Sequence, residues 1–225
     1  CKEEVKSHFG FETYSLKPDI DNRRIPLLRD VFRENPNIAI NIDLKGGSDE
    51  LMHEVYKLII EFQREEITYF GDMNETRNMR AQRMGADAGV RTFASIKYTI
   101  LICLAYFCCI LQFIPFRHYS FWFPFFGREK LNAITQMFGN RCKHRCLART
   151  YRVLTFLMKP MFWHLKRRGV LVMFWNVNDE AEYERALTYS ISGILTDTPE
   201  LIRELSDRRM SNNSLIEREL ISNNR

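Results

Sequence analysis

Residues 37–45 read Asn-Ile-Ala-Ile-Asn-Ile-Asp-Leu-Lys and alternate without a break before Gly46-Gly47. Side chains along a strand point to opposite faces in turn, so Ile38, Ile40, Ile42 and Leu44 share one face. Asn37, Ala39, Asn41, Asp43 and Lys45 share the other. The first face suits packing under helices. The second ends in a carboxylate and an ammonium two residues apart, where the strand gives way to a glycine loop. That pairing is the chemistry of a metal ion beside a phosphate.

Elsewhere the pattern is strand followed by helix. Ser48 or Asp49 is placed to cap a helix through about Arg64, with Leu51, Val55, Leu58, Ile59 and Phe62 on its apolar face. Ile67 to Gly71 reads as a short strand, Asn74 caps a weak helix ending near Gly85, and Gly89 to Ala94 is a further strand candidate. Arg149 to Arg168 reads as a helix broken by Pro160 and closed by Gly169. Val170 to Asn178 follows as an apolar strand of the kind buried in parallel sheets. Asn178 is expected to cap an acidic first turn, Gly193 to Thr196 forms the last strand, and Thr198-Pro199-Glu200 opens the last helix. The tail beyond Ser211 is expected to fray. This order predicts a parallel α/β sheet, open or closed into a barrel, with its active region at the strands' carboxyl ends. Asp43, Lys45, Asn178 and Asp197 fall at such ends.

Ile96 to Phe116 departs from this rhythm. It is apolar over about 21 residues, roughly the length of a bilayer-crossing helix, with Lys97 at its start. Aromatic residues crowd its exit (Tyr119, Phe121, Trp122, Phe123, Phe125, Phe126), and a basic run follows from Arg128 to Arg152. Aromatic belts and basic clusters suit a membrane interface. The expectation is membrane contact, either as a span or as a helix lying in one leaflet; the alternative is a buried core helix with an aromatic loop. The expected layout is 1–205 as one partial domain, with 96–116 as the membrane segment and 117–150 as an aromatic and basic insert. A polar tail occupies 206–225.

Composition narrows the partners. The net charge of +5 comes without an arginine-rich tail or a nucleic-acid motif, so no nucleic acid is expected. No glycine-rich phosphate loop follows any strand, which disfavours a nucleotide-binding α/β protein. The six cysteines lack the spacing of a secreted disulfide scaffold, and Cys142, His144 and Cys146 lack a fourth ligand for zinc. A reduced, cytosol-facing setting is expected.

Three motifs end three strands: Asn41-Ile-Asp43-Leu-Lys45, Phe174-Trp175-Asn-Val-Asn178 and Gly193-Ile-Leu-Thr-Asp197-Thr-Pro199. Together they resemble the carboxyl-terminal part of the glycerophosphodiester phosphodiesterase family, above all its membrane-associated animal members, which act as lysophospholipases D. Ile25-Pro26-Leu27-Leu28 resembles the segment leading into the acidic strand. The resemblance implies a TIM barrel and hydrolysis of lysophospholipids or glycerophosphodiesters with a divalent metal, magnesium or calcium. It implies Asp43 as a metal ligand, although many members carry Glu there. Lys45 is implied as the lysine that neutralises the substrate phosphate, and Trp175 as an aromatic wall of the pocket. An intracellular membrane such as the endoplasmic reticulum is the implied location.

The family's His-Arg strand and its Glu-x-Asp strand have no counterpart in this sequence. His8 does not match, and His53, His118, His144 and His164 stand on expected helices or in the insert. No acid–base catalyst is therefore assigned. The expectation is an amino-terminally truncated, incomplete barrel that is inactive alone. A catalytically silent, membrane-associated binding or regulatory remnant is the alternative.

Overall fold

A computed structural model describes the backbone of residues 4–6, 13–15, 25–127, 131 and 141–223, with side chains over 25–127, 131 and 146–211. The chain divides into two compact units, Cys1–Pro36 and Asn37–Arg225. In the first, β1 (Glu4–Lys6) pairs antiparallel with β2 (Thr13–Ser15), and α1 spans Leu28–Glu34.

The second unit begins with β3 (Ile40–Asp43), α2 (Asp49–Glu61), β4 (Thr68–Gly71), α3 (Glu75–Gly85) and α4 (Ile96–Phe107). It continues with β5 (Ser120–Pro124), α5 (Arg141–Leu157), α6 (Lys159–Arg167) and β6 (Leu171–Trp175). α7 (Glu180–Ala186), β7 (Gly193–Leu195) and α8 (Pro199–Asn223) complete it. The caps expected at Ser48 and Asn74 form: their side chains accept the N–H groups of Leu51 and Arg77.

Every strand pairing in this unit is parallel. β3 pairs with β4, β5 with β6, and β6 with β7. The expected strand at Gly89 to Ala94 joins the two groups through parallel bridges, Tyr69 to Arg91 on one side and Phe93 to Ser120 on the other. The Phe70 amide donates to the Arg91 carbonyl at 2.9 Å and the Ala94 amide to the Ser120 carbonyl at 2.8 Å. Parallel positions thus follow chain order from β3 to β7, the order of a (β/α) barrel wall. The run is open: among the described residues β7 pairs only with β6, and no closed barrel forms.

Register sorts the faces. Asn41, Asp43, Tyr69, Gly71, Arg91, Phe93, Trp122, Met173 and Trp175 lie on one side of the sheet. There Phe93 stacks on Trp122 with ring centroids 4.4 Å apart. The other side carries Phe121, Phe123, Val172 and Phe174, which pack with Met161, Phe162 and Leu165 of α6 in the main apolar cluster.

Four expectations are corrected. The apolar run 96–116 is not one helix: α4 stops at Phe107, Cys109 takes a positive φ of 58°, and a 3₁₀ turn follows at Leu111–Phe113. At 12 residues α4 is about 18 Å long, short of a roughly 30 Å hydrocarbon core. No described helix is long and apolar enough to cross a membrane. Second, the aromatic run after it is no interfacial belt. Residues 120–124 are a central strand, and Phe121, Trp122, Phe123 and Phe125 are buried. An apolar run reads alike in a bilayer and in a strand covered on both faces, and only pairing separates the two. Third, the cap of α7 is Asp179, which accepts from the Glu182 N–H at 2.7 Å, rather than Asn178. The tail expected to fray continues as α8 through Asn223.

Candidate active site

The strands' carboxyl ends form a polar rim. On β3, Asp43 faces the Phe93–Trp122 side of the sheet, half-buried, with Oδ1 out of reach of solvent. Lys45 is exposed in the turn beyond it, its N–H on the Asp43 carbonyl at 3.0 Å, and Gly46 adopts a φ of 75°. A side chain rarely takes that conformation, so the glycine lets the chain leave the strand at once.

The end of β4 holds a network that sequence reasoning missed. Asp72 is 2% exposed. It receives Arg77 through both carboxylate oxygens, Nε on Oδ2 at 2.6 Å and Nη2 on Oδ1 at 3.1 Å. The Asn74 N–H also donates to Oδ1, at 2.6 Å. Buried Asn78 locks the other side, accepting the Asp72 N–H at 3.1 Å and donating to the Phe93 carbonyl at 2.9 Å. Its sequence signal was slight, an aspartate two residues before a capping asparagine. The hydrogen bond to Asp72 holds the Arg77 guanidinium firmly protonated. Next along the rim, Ser95 caps α4 and donates to Glu75.

Past β5 the chain presents Phe126, which meets Trp175 edge-on at 6.2 Å. Tyr151 sets that corner, donating to the Pro124 carbonyl at 2.5 Å and accepting the Phe126 N–H at 3.3 Å. Burial pushes its hydroxyl up to about 12. Trp175 is half-buried and is followed by Asn176 at a φ of 69°.

The ends of β6 and β7 are sewn together by Asn178. Its Nδ2 donates to Asp197 Oδ2 at 2.9 Å, and its Oδ1 accepts the Asp197 N–H at 2.9 Å. The Thr196 hydroxyl donates to the same Oδ1 at 3.1 Å, and the Thr198 hydroxyl to the Asn178 carbonyl at 3.1 Å. Glu182 accepts the Asn178 N–H at 2.7 Å beneath Gly127, where a Cβ would come within 2.0 Å of the carboxylate.

Asp43 and Lys45 therefore share a strand end, while Trp175 stands across β4, the 90–94 segment and β5, on the face that Asp43 shares. The described histidines lie away from the rim. His53 is exposed on α2, and His164 is in α6. His118 is buried under α4, sharing a 2.9 Å hydrogen bond with Thr92, and desolvation lowers it to about 4. His8, His144 and Cys142 are outside the described side chains. Among the described residues no group of three His, Cys, Asp or Glu side chains gathers at one point. Magnesium and calcium want about six oxygen ligands, and Asp43 alone does not meet that demand.

No family model matches the chain. It is 29% identical over 189 residues to human lysophospholipase D GDPD1, covering 81% of this chain and 57% of that protein. With human lysophospholipase D GDPD3 it shares 28% identity over 206 residues, 92% of this chain and 62% of the relative. The chain spans about three-fifths of the length of the curated relatives it matches. A glycerophosphodiester phosphodiesterase from Agrobacterium tumefaciens superposes with a TM-score of 0.47 and 14% identity, over 79% of this chain and 61% of that one. In sequence the chain is similar to human lysophospholipases D over most of its own length.

Proposed function

We propose that the rim serves hydrolysis of a phosphodiester in a lysophospholipid or glycerophosphodiester, releasing the headgroup alcohol. The observation that carries this is the placement of Asp43, Lys45 and Trp175 at carboxyl ends of one parallel sheet, in a chain related to lysophospholipases D. An exposed ammonium in the glycine turn is a point charge suited to an anionic phosphoryl oxygen, and Lys45 takes that role. The ring of Trp175, edge-on to Phe126, offers an apolar wall to the alcohol or acyl portion, and would favour a quaternary ammonium headgroup over its face.

A divalent metal would polarise the phosphoryl group, with Asp43 contributing one hard oxygen. The described residues do not complete its ligand set. They equally place no histidine at the rim for proton transfer. That observation favours a second reading, in which the chain binds its lipid without turning it over.

One experiment separates the two. Choline release from lysophosphatidylcholine is measured with magnesium or calcium added, beside binding of the same lipid. Release that falls at least tenfold in Lys45→Ala supports the enzyme, on the scale of a lost charge-assisted contact. Binding that weakens in Lys45→Ala and Trp175→Ala without release supports the silent reading. Neither release nor binding sinks both.

A further inference from the structure

The residues that leave β5 are held at every step. Pro124 closes the strand opposite Trp175, and the Phe125 N–H still donates to the Trp175 carbonyl at 2.9 Å. The Phe125 ring is buried, stacked on Phe174 at 4.6 Å, with the Arg185 guanidinium 4.2 Å from its centroid. Phe126 is then gripped through both of its backbone polar groups. Its N–H donates to the Tyr151 hydroxyl, and its carbonyl accepts from Arg185 Nη2. Gly127 follows, directly over the Glu182 carboxylate, where a Cβ would collide. A loop ordinarily runs over the surface and turns its backbone groups to solvent. Here two helices, α5 and α7, each commit a side chain to one loop residue.

What they hold in place is a ring. Phe126 keeps the parity of Trp122 and Pro124, and so emerges on the face that Trp175 shares. It stands half-buried, its centroid 6.2 Å from Trp175 at 72° and 5.7 Å from Tyr151 at 40°. Tyr151 does most of the holding. It packs against the main apolar cluster, and its one hydroxyl donates to the Pro124 carbonyl while accepting from Phe126. Because burial pushes that hydroxyl up to about 12, it stays protonated and keeps both bonds at neutral pH.

We infer that Phe126 is a second specificity-determining wall for the headgroup, and that Tyr151 and Arg185 are positioning residues that set it against Trp175. Two rings meeting edge to face form an apolar corner whose side chains offer π-density and no hydrogen-bond acceptor. A primary ammonium is compact, strongly hydrated and carries three N–H donors, all of which want acceptors. A quaternary ammonium has no N–H to satisfy, and its diffuse charge suits an aromatic face. The corner therefore selects a quaternary over a primary ammonium headgroup. This inference rests on the phosphodiester reading of the rim, and adds to it the residues that choose the alcohol.

The test is binding of two soluble diesters, glycerophosphocholine and glycerophosphoethanolamine, by calorimetric titration, beside release of choline and ethanolamine from each. The full chain is expected to bind the choline diester roughly tenfold more tightly. Phe126→Leu is expected to bring that ratio close to one, and Phe126→Tyr to keep it. Tyr151→Phe, which keeps the ring and loses the hydroxyl, and Arg185→Met are each expected to lower the ratio at least about threefold. Both are measured at a temperature where circular dichroism reports a fully folded chain. A ratio near one in the parent chain, or one that Phe126→Leu leaves unchanged, overturns the inference. A denaturation midpoint that falls in Tyr151→Phe and Arg185→Met while the ratio holds overturns the positioning role, since that is what purely structural residues would do. Discrimination in binding without release of either alcohol counts against the enzyme reading alone. Equal binding and equal release from both diesters overturns the inference and leaves the enzyme reading standing. Binding of neither diester sinks both.

Discussion

The two sides of the sheet are built by different means. From Ala94 onward the β5–β6–β7 side belongs to one apolar cluster dense in rings, Phe121, Phe123, Phe125, Phe162, Phe174 and Tyr189 among them. No residue of β3 or β4 is in that cluster. Around β3 and β4 the buried apolar side chains are fewer and smaller in bulk, Met52, Val55, Ile59, Phe70 and Ala81. Polar ties supplement them: Asp72 with Arg77, Asn78 with the Phe93 carbonyl, and Arg80 with Asp49. The hydrophobic effect is non-directional, whereas hydrogen-bonded networks are directional and can end at a polar rim. The side with Asp43 and Lys45 thus gives up packing density for directional polar contacts.

That contrast can be broken in order of effect. Phe174→Ala should cost about 4 kcal/mol by chemical denaturation, since its ring is fully buried and packed against Phe125, Phe162 and Tyr189. A cost near that of an exposed aromatic would mean the aromatic side is no better packed than the other. Asp72→Ala should cost about 3 kcal/mol, leaving the Asn74 N–H and Arg77 without their acceptor. A loss below roughly 1 kcal/mol would make the β4 network decorative.

The third prediction concerns His118, at the join between the two sides. Desolvation lowers its folded pKa to about 4 from an ordinary 6.5; nearby Glu75 opposes this and Arg117 adds to it. The unfolded chain therefore takes up a proton that the folded one refuses. Stability should be level above pH 6.5 on this account and fall as the pH drops toward 4, by about 3 kcal/mol in all. His118→Gln, which can keep the hydrogen bond to Thr92, should flatten that slope in urea titrations at stepped pH. An unchanged slope would assign the acid sensitivity to another group. The smallest effect is Ser48→Ala, about 1 kcal/mol for an exposed helix cap on the β3 side, read as a shift in denaturation midpoint.

Local chemistry was legible in the sequence wherever one residue acts on its near neighbours. The alternation of Asn37 to Lys45, the caps at Ser48 and Asn74, and the break before Pro160 required no long-range information. The three strand-end motifs were legible for the same reason. The aromatic run was misread because Phe121 to Phe126 acquire their meaning from β6, some fifty residues on. Asp72 was invisible because its importance depends on Arg77 and Asn78 closing over it, and on Phe93 supplying a carbonyl. Asn178 was taken for a cap because an asparagine before an acidic turn normally is one; here Asp179 does that work, and Asn178 is spent across strands.

The 90–94 segment has a mechanical consequence. It is too short to be a full strand, yet among the described residues it alone joins β4 to β5 by backbone bonds. Load passing between the aromatic side and the Asp43 side crosses a weld a few peptide groups wide. A shift of α4, which leaves this weld at Ser95, would tilt both sides of the rim together. Among the described residues that backbone junction ties the strand end of Asp43 to that of Trp175.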